Sequence, residues 1–147
     1  MKSMEYKLKN QIEIFDSELK DYVKRDTLLI SFKGIKGLST IKRMQDLIFK
    51  SFMEQSGKAT ATKEEKEENK NITLDDAFMM LEVTGNSEKI FSEVMKSLSE
   101  YATLDGSKLA SKDIEEIEIE DLNCIYEGVL KSFLLVKVTS ILNSMNK

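Results

Sequence analysis

Apolar side chains change their spacing once along this chain, and that change limits what it can fold into. Up to about residue 32 they recur at every second position. Tyr6 and Leu8 alternate with lysines, and Ile12 and Ile14 alternate with Gln11 and Glu13. After a polar break at Asp16-Ser17-Glu18 a second stretch runs from Leu19 to Val23, and Leu28, Ile30 and Phe32 alternate again after Arg25-Asp26. From residue 39 the spacing becomes three and four, with Ile41, Met44, Leu47, Ile48 and Phe52 on one side. Period two lines one face of a strand, and period 3.6 lines one stripe of a helix. The expected class is α+β, mainly α: an N-terminal β-hairpin of two or three strands followed by four helices. Two strands join near Asp16-Ser17, and residues 28–32 form a third strand or an ordered loop. So small a sheet cannot bury much alone, so a helix must cover one of its faces.

The helices are delimited by their caps. Ser39 or Thr40 can cap the first, over residues 39–55, and Gly57 lies just past its end. Residues 56–71 contain no large apolar side chain and read as a mobile polar linker. Thr73 caps a helix with Leu74, Ala77, Phe78 and Leu81 on one face, ended by Gly85-Asn86. Ser87 caps the next, which carries Ile90, Phe91, Val94, Leu98 and Tyr101, and Asp105-Gly106-Ser107 is a turn. A long helix from about residue 119 to 145 carries Leu122, Ile125, Tyr126, Val129, Phe133, Val136 and Ile141. Gly128 inside it costs about 1 kcal/mol relative to Ala and marks close packing. The segment FLLVKVTSIL is apolar nearly all round, so it is buried on several sides of the monomer or against a second copy. The expected organisation is a hairpin plus helix over 1–55, a linker over 56–71, and a helical region over 72–147 packed with the first as one domain.

Composition removes function classes. The 147 residues include no His, no Pro, no Trp and one Cys, Cys124. No imidazole base, His-dependent triad or histidine metal ligand can be built, and one Cys makes no internal disulfide. No catalytic, cofactor-binding or metal-ligating residue is expected. The net charge of −4 disfavours non-specific nucleic-acid binding, and no apolar run is long enough to span a membrane. The N-terminus has no secretory-signal pattern, so a bacterial-type cytoplasm is the expected location.

Four local features invite a chemical reading. Asp113, Glu115, Glu116, Glu118, Glu120 and Asp121 place six acids in nine residues with no base, which reads as a solvated lead-in to a helix or a docking surface for a basic partner. They lack the central Gly and terminal Glu of an EF-hand loop. Lys33-Gly34-Ile35-Lys36-Gly37 contains a GxxG pattern like the backbone clamp of KH domains, but the residues before it read as a strand. A strand-to-helix connection is the simpler account. Cys124 sits on the helical face with Leu122 and Ile125 and reads as a small core hydrophobe. Met79, Met80 and Met95 suit adaptable packing or an adaptable binding surface, with core packing the simpler account.

The opening Tyr6-Lys7-Leu8-Lys9-Asn10-Gln11-Ile12-Glu13-Ile14, the turn after it, and Glu18 to Arg25 resemble the hairpin of small bacteriophage tail assembly chaperones. The acidic lead-in followed by an amphipathic helix, residues 119–133, is similar to that family's later part. Gln11 stands where the family usually has Pro, and Asp16-Ser17 where it has an Asp-Gly turn. The resemblance implies a non-enzymatic protein of the host bacterial cytoplasm, absent from the mature virion. Its partners would be the helical tape measure protein and tail tube subunits. On that footing Phe78, Leu81, Leu122, Ile125, Val129, Phe133 and Leu134 are expected to form core plus a groove for a partner helix. The alternative is a small nucleic-acid-binding regulator using Lys33, Lys36, Lys42 and Arg43.

Overall fold

The computed structural model describes residues 3–58, 72–83 and 86–145, with the backbone alone for 55–58. It is α+β with an N-terminal antiparallel hairpin and a helical remainder. Strands β1 (Ser3–Asp16) and β2 (Asp21–Ser31) pair from Asp16↔Asp21 to Ile12↔Arg25, and again from Lys7↔Thr27 to Ser3↔Ser31. Between these blocks Leu8, Lys9, Asn10 and Gln11 face Asp26 alone. This is a bulge with three extra residues on β1. Opposite residues of an antiparallel pair share a face. Ile12 and Ile14 therefore share theirs with Arg25 and Val23, whereas Tyr6 and Met4 share theirs with Leu28 and Ile30. Inward positions on β2 change from odd to even at the bulge. That phase change makes the one strand read in sequence as two runs broken at Arg25-Asp26, and the expected third strand is the second half of β2.

At the tip, Asp16 Oδ1 accepts from the Glu18 and Leu19 N–H groups at 2.9 and 3.2 Å, and Lys20 adopts a left-handed φ of 54°. Leu19, expected in a strand, lies in this turn and is exposed. A second hairpin was not foreseen. Strands β3 (Ala102–Leu104) and β4 (Ser107–Lys108) complete a sheet of order β1-β2-β3-β4. Asp105 and Gly106 join them with φ of 50° and 84°, the two positive values that a tight two-residue hairpin requires.

Among the described residues six α-helices, rather than four, carry the rest. Helix α1 (Gly34–Lys58) begins five residues before the expected cap, and Thr40 sits inside it, donating to the Lys36 carbonyl at 3.0 Å. Gly57 is helical, and residues 59–71 of the expected linker lie outside the described residues. Helix α2 (Leu74–Glu82) is capped by Thr73 as expected, with a reciprocal bond from the Thr73 N–H to Asp76 at 3.2 Å. Helix α3 (Ser87–Tyr101) has Asn86 at its cap position, so Ser87 lies one residue inside. Helix α4 (Ser111–Glu116) lies within the acidic run. Helices α5 (Ile119–Val129) and α6 (Leu135–Met145) span the expected limits of one helix but are joined by a π-helical turn, Leu130–Leu134.

The core lies between the sheet and the helices. Leu28, Ile30, Met44, Ile48, Leu81, Leu98, Leu104, Ile125 and Leu134 are fully enclosed, each contributing about 1.5–3 kcal/mol on burial. Helix α5 lies along β1, α3 along β2 and β3, and α6 against α1 and α2. Gly128 lets α5 approach β1 closely, because a β-carbon there would meet the Met4 side chain at 3.0 Å. The GxxG segment is a helix start: Gly34 has a φ of 71°, and a β-carbon on Gly37 would meet the Phe32 backbone at 2.9 Å.

Candidate partner-binding surface

The residues expected to line a groove are mostly occupied by the chain itself. Leu81, Ile125, Val129 and Leu134 are 0% exposed and Phe133 8%, while Phe78 and Leu122 are half-buried at the edge of the same core. The Phe133 ring packs edge-on against Phe32 at 5.0 Å, and Phe78 stands 6.0 Å from Tyr126 under the Lys131 ammonium. These seven form core and rim, not an open groove. The physical cause is the π-turn. An extra residue in one turn rotates the stripe, so Leu130, Phe133, Leu134 and Leu135 are all buried. Of the nearly all-round apolar segment, Phe133, Leu134, Leu135, Val138 and Thr139 are enclosed within the monomer, while Val136 and Ile141 stay exposed.

Other apolar side chains remain outside. Met79 on α2 and Val83 at its C-cap, four residues apart, are 70% and 72% exposed. Val136, Ile141 and Met145 are exposed on α6, which packs on α2. Asn143 fixes that packing, accepting from the Ile72 N–H at 2.7 Å and donating to the Ile72 carbonyl at 3.1 Å. At the hairpin tip the Phe15 and Tyr22 rings meet edge-on at 5.4 Å beside exposed Leu19. The strongest stripe of each helix excludes Val83 and Met145, and Met79, singled out in the sequence for adaptable packing or binding, stands exposed. The signal for them was apolar residues left over on the polar side of an amphipathic helix.

A polar site at the bulge was also missed. Asp121, in the first turn of α5, is fully buried. Its Oδ1 accepts from the Tyr6 hydroxyl at 2.8 Å and the Lys9 N–H at 3.0 Å, and its Oδ2 from the Asn10 N–H at 3.1 Å. Burial alone would raise this carboxyl; the bonds from Lys9, Tyr6 and Asn10 outweigh it and hold the group below the usual carboxylate range. Burial, together with the Asp121 bond, raises the Tyr6 hydroxyl. Asp113 is buried as well and accepts from the Ala110 N–H at 3.0 Å. Two of the six acids read as solvated are thus structural acceptors. A polar cleft of about 750 Å³ opens over the bulge, lined among others by Lys7, Lys9, Gln11, Lys24 and Glu118. With its donors in place the Asp121 carboxylate is an anchor for backbone rather than a free base. Cys124, expected in the core, is only half-buried beside this site. Among the described residues, no group of three acids or cysteines is placed to hold a metal ion.

Lys33, just before α1, and Lys36, Lys42 and Arg43 on its first turns all face outward. Lys36 pairs with Glu100 at 3.3 Å and Arg43 with Glu93 at 3.4 Å. No helix of the described residues is long and apolar enough to cross a membrane. No family model matches this chain, and comparisons with curated proteins and with solved structures likewise return no match.

Proposed function

We propose that this protein is a non-enzymatic assembly chaperone of the phage tail type, covering apolar faces of a helical tape measure protein. One observation carries it beyond the resemblance: apolar side chains spaced four apart, Met79 with Val83 at the end of α2 and Ile141 with Met145 on α6, stay exposed outside a core that is already filled. A row of that spacing matches the way one helix receives another. Phe78 and Leu122, at the rim, extend the contact inward; Leu81, Ile125, Val129, Phe133 and Leu134 support it from within. The working site is the host cytoplasm during assembly, and tail tube subunits are the second partner.

Coexpression with the neighbouring tape measure gene tests the proposal. The tape measure protein is expected to become soluble and to copurify. Met79→Lys together with Ile141→Lys is expected to lower recovery tenfold or more while leaving thermal stability within about 0.5 kcal/mol. An insoluble tape measure protein beside well-folded chaperone overturns the reading. A second reading, nucleic-acid binding through Lys33, Lys36, Lys42 and Arg43, rests on their outward placement. It requires a salt-dependent gel shift that disappears when those side chains are changed.

A further inference from the structure

We infer that this chain associates head to tail with copies of itself, the start of α1 on one copy docking on the α4–α5 junction of the next. Ile35, Leu38, Ser39 and Lys42 fall at positions i, i+3, i+4 and i+7, and all four face outward. Ile35 is 85% exposed and Leu38 53%, with Lys33 and Lys36 beside them. Residues 33–45 include four cations and no acid. The junction is the inverse surface. Glu115, Glu116, Glu118 and Glu120 face outward around Ile119, which is 66% exposed.

Each surface offers branched apolar side chains beside an excess of one sign of charge, and the two signs are opposite. Lys9 already pairs with Glu120 at 3.2 Å on the acidic side, and Glu100 with Lys36 at 3.3 Å on the basic side. Within one copy the two surfaces cannot meet. Ile119 and Phe133 are fourteen residues apart along continuous helix, roughly 20 Å, and Phe133 packs on Phe32 just before α1. Among the described residues Lys33, Lys42, Glu115, Glu116 and Glu118 have no side-chain ion pair. Contact between two copies lets Lys33 and Lys42 approach that acidic rim while Ile35 and Leu38 cover Ile119. Such a joint is heterologous, so it continues into a ring or an open filament rather than stopping at a dimer. It is small and rimmed by charge, so it is weak and sensitive to salt.

Sedimentation of the full chain tests this without any tape measure protein, so it stands or falls independently of the chaperone proposal. At low salt and on the order of 100 μM, species larger than a dimer are expected, reverting to monomer in about 1 M salt, where the screening length is about 3 Å. Lys33→Glu with Lys42→Glu is expected to give monomers, as is Glu116→Lys with Glu118→Lys, each with an unchanged circular dichroism spectrum. A one-to-one mixture of wild type with either variant is expected to give shorter assemblies. A single chain carrying all four changes is expected to regain assembly, because both signs are reversed together. Monomers at every concentration overturn the inference, as does assembly indifferent to the paired changes. Loss of binding to vesicles of phosphatidylglycerol in the lysine variant, with sedimentation unaltered, assigns the α1 start to a membrane surface and overturns it too.

Discussion

Asp121 and Asp105 do the same work on opposite sides of the hairpin bulge, in different surroundings. Asp121 takes the Lys9 and Asn10 N–H groups on the β1 side. Asp105 takes the Asp26 N–H on the β2 side at 2.8 Å, and its own N–H donates to the Thr27 carbonyl at 2.8 Å. A bulge leaves ladder groups unpaired, and each aspartate replaces the lost partner. Asp121 is fully buried and Asp105 is exposed. Water reaches the Asp105 carboxylate, whereas the Asp121 carboxylate is enclosed and depends on its protein donors. The same side chain is therefore essential on one side and helpful on the other. Arg25 links the two ends of the ribbon, bonding Asp16 Oδ2 and the Asp105 carbonyl, each at 3.0 Å.

The contrast can be broken most directly at Asp121. Asp121→Ala leaves the Tyr6 hydroxyl and the Lys9 and Asn10 N–H groups without their acceptor and opens a gap where a buried carboxylate stood. It is expected to cost about 2–4 kcal/mol, read as the shift in urea midpoint at constant slope. Asp121→Asn keeps an acceptor and loses the charge, so it should fall between wild type and Ala. A loss under about 0.5 kcal/mol in the Ala variant would show the bulge amides find other partners.

The acid limb of the stability profile reports the same side chain. The folded carboxyl lies below its unfolded value, so its contribution is fully present above about pH 4 and fades as pH falls through the lower folded value. Asp121→Asn should flatten that part of the curve, measured by denaturation between about pH 2 and pH 6. An unchanged slope would assign the acid sensitivity elsewhere.

Asp105→Ala is expected to cost about 1–2 kcal/mol. It loses an exposed acceptor and also places Ala at a φ of 50°. Asp105→Gly, which restores the backbone freedom, should recover part of that loss and thereby separate the two causes.

Gly128→Ala tests the other end of the α5 docking on β1. The obstructing atoms belong to the flexible tip of Met4, so a shift of that side chain offsets about 1 kcal/mol of gained helix propensity, and the net change in melting temperature should be small. The smallest effect is expected for Glu118→Gln, an exposed acid three residues from Asp121, at under 0.5 kcal/mol by the same urea titration. A large loss there would erase the distinction between buried and solvated acids in this run.

The fold was legible where one period governed one element. Ile41, Met44, Ile48 and Phe52 marked the buried stripe of α1, and Thr73 marked the start of α2, because spacing and capping are local. Gly128 was legible as a close approach. The start of α1 was misplaced because Gly34 to Leu38 show no apolar period: Ile35 and Leu38 point outward and the inward position is Gly37. The short β3–β4 hairpin was invisible because its Asp-Gly turn looked complete in itself, and three residues are too few to show alternation. The groove residues were recognised as apolar and spaced together. Which of them were free depended on the π-turn and on α1 and α2 packing around α5 and α6, and no helical wheel contains that.

By itself the sequence determined the class of fold, the two spacings and the exclusion of imidazole and disulfide chemistry, since these follow from residue types and near neighbours. Only the tertiary structure decided the rest. It turned Asp121 and Asp113 inward from a run of six similar acids, buried Phe133, Leu134, Leu135 and Val138 of the apolar C-terminal segment, and left Val136, Ile141, Met79, Val83, Ile35 and Ile119 outside. Burial is a property of the whole packing arrangement. Glu118 and Asp121 stand three residues apart with the same charge, and what separates them is the bulge of a strand more than a hundred positions earlier in the chain.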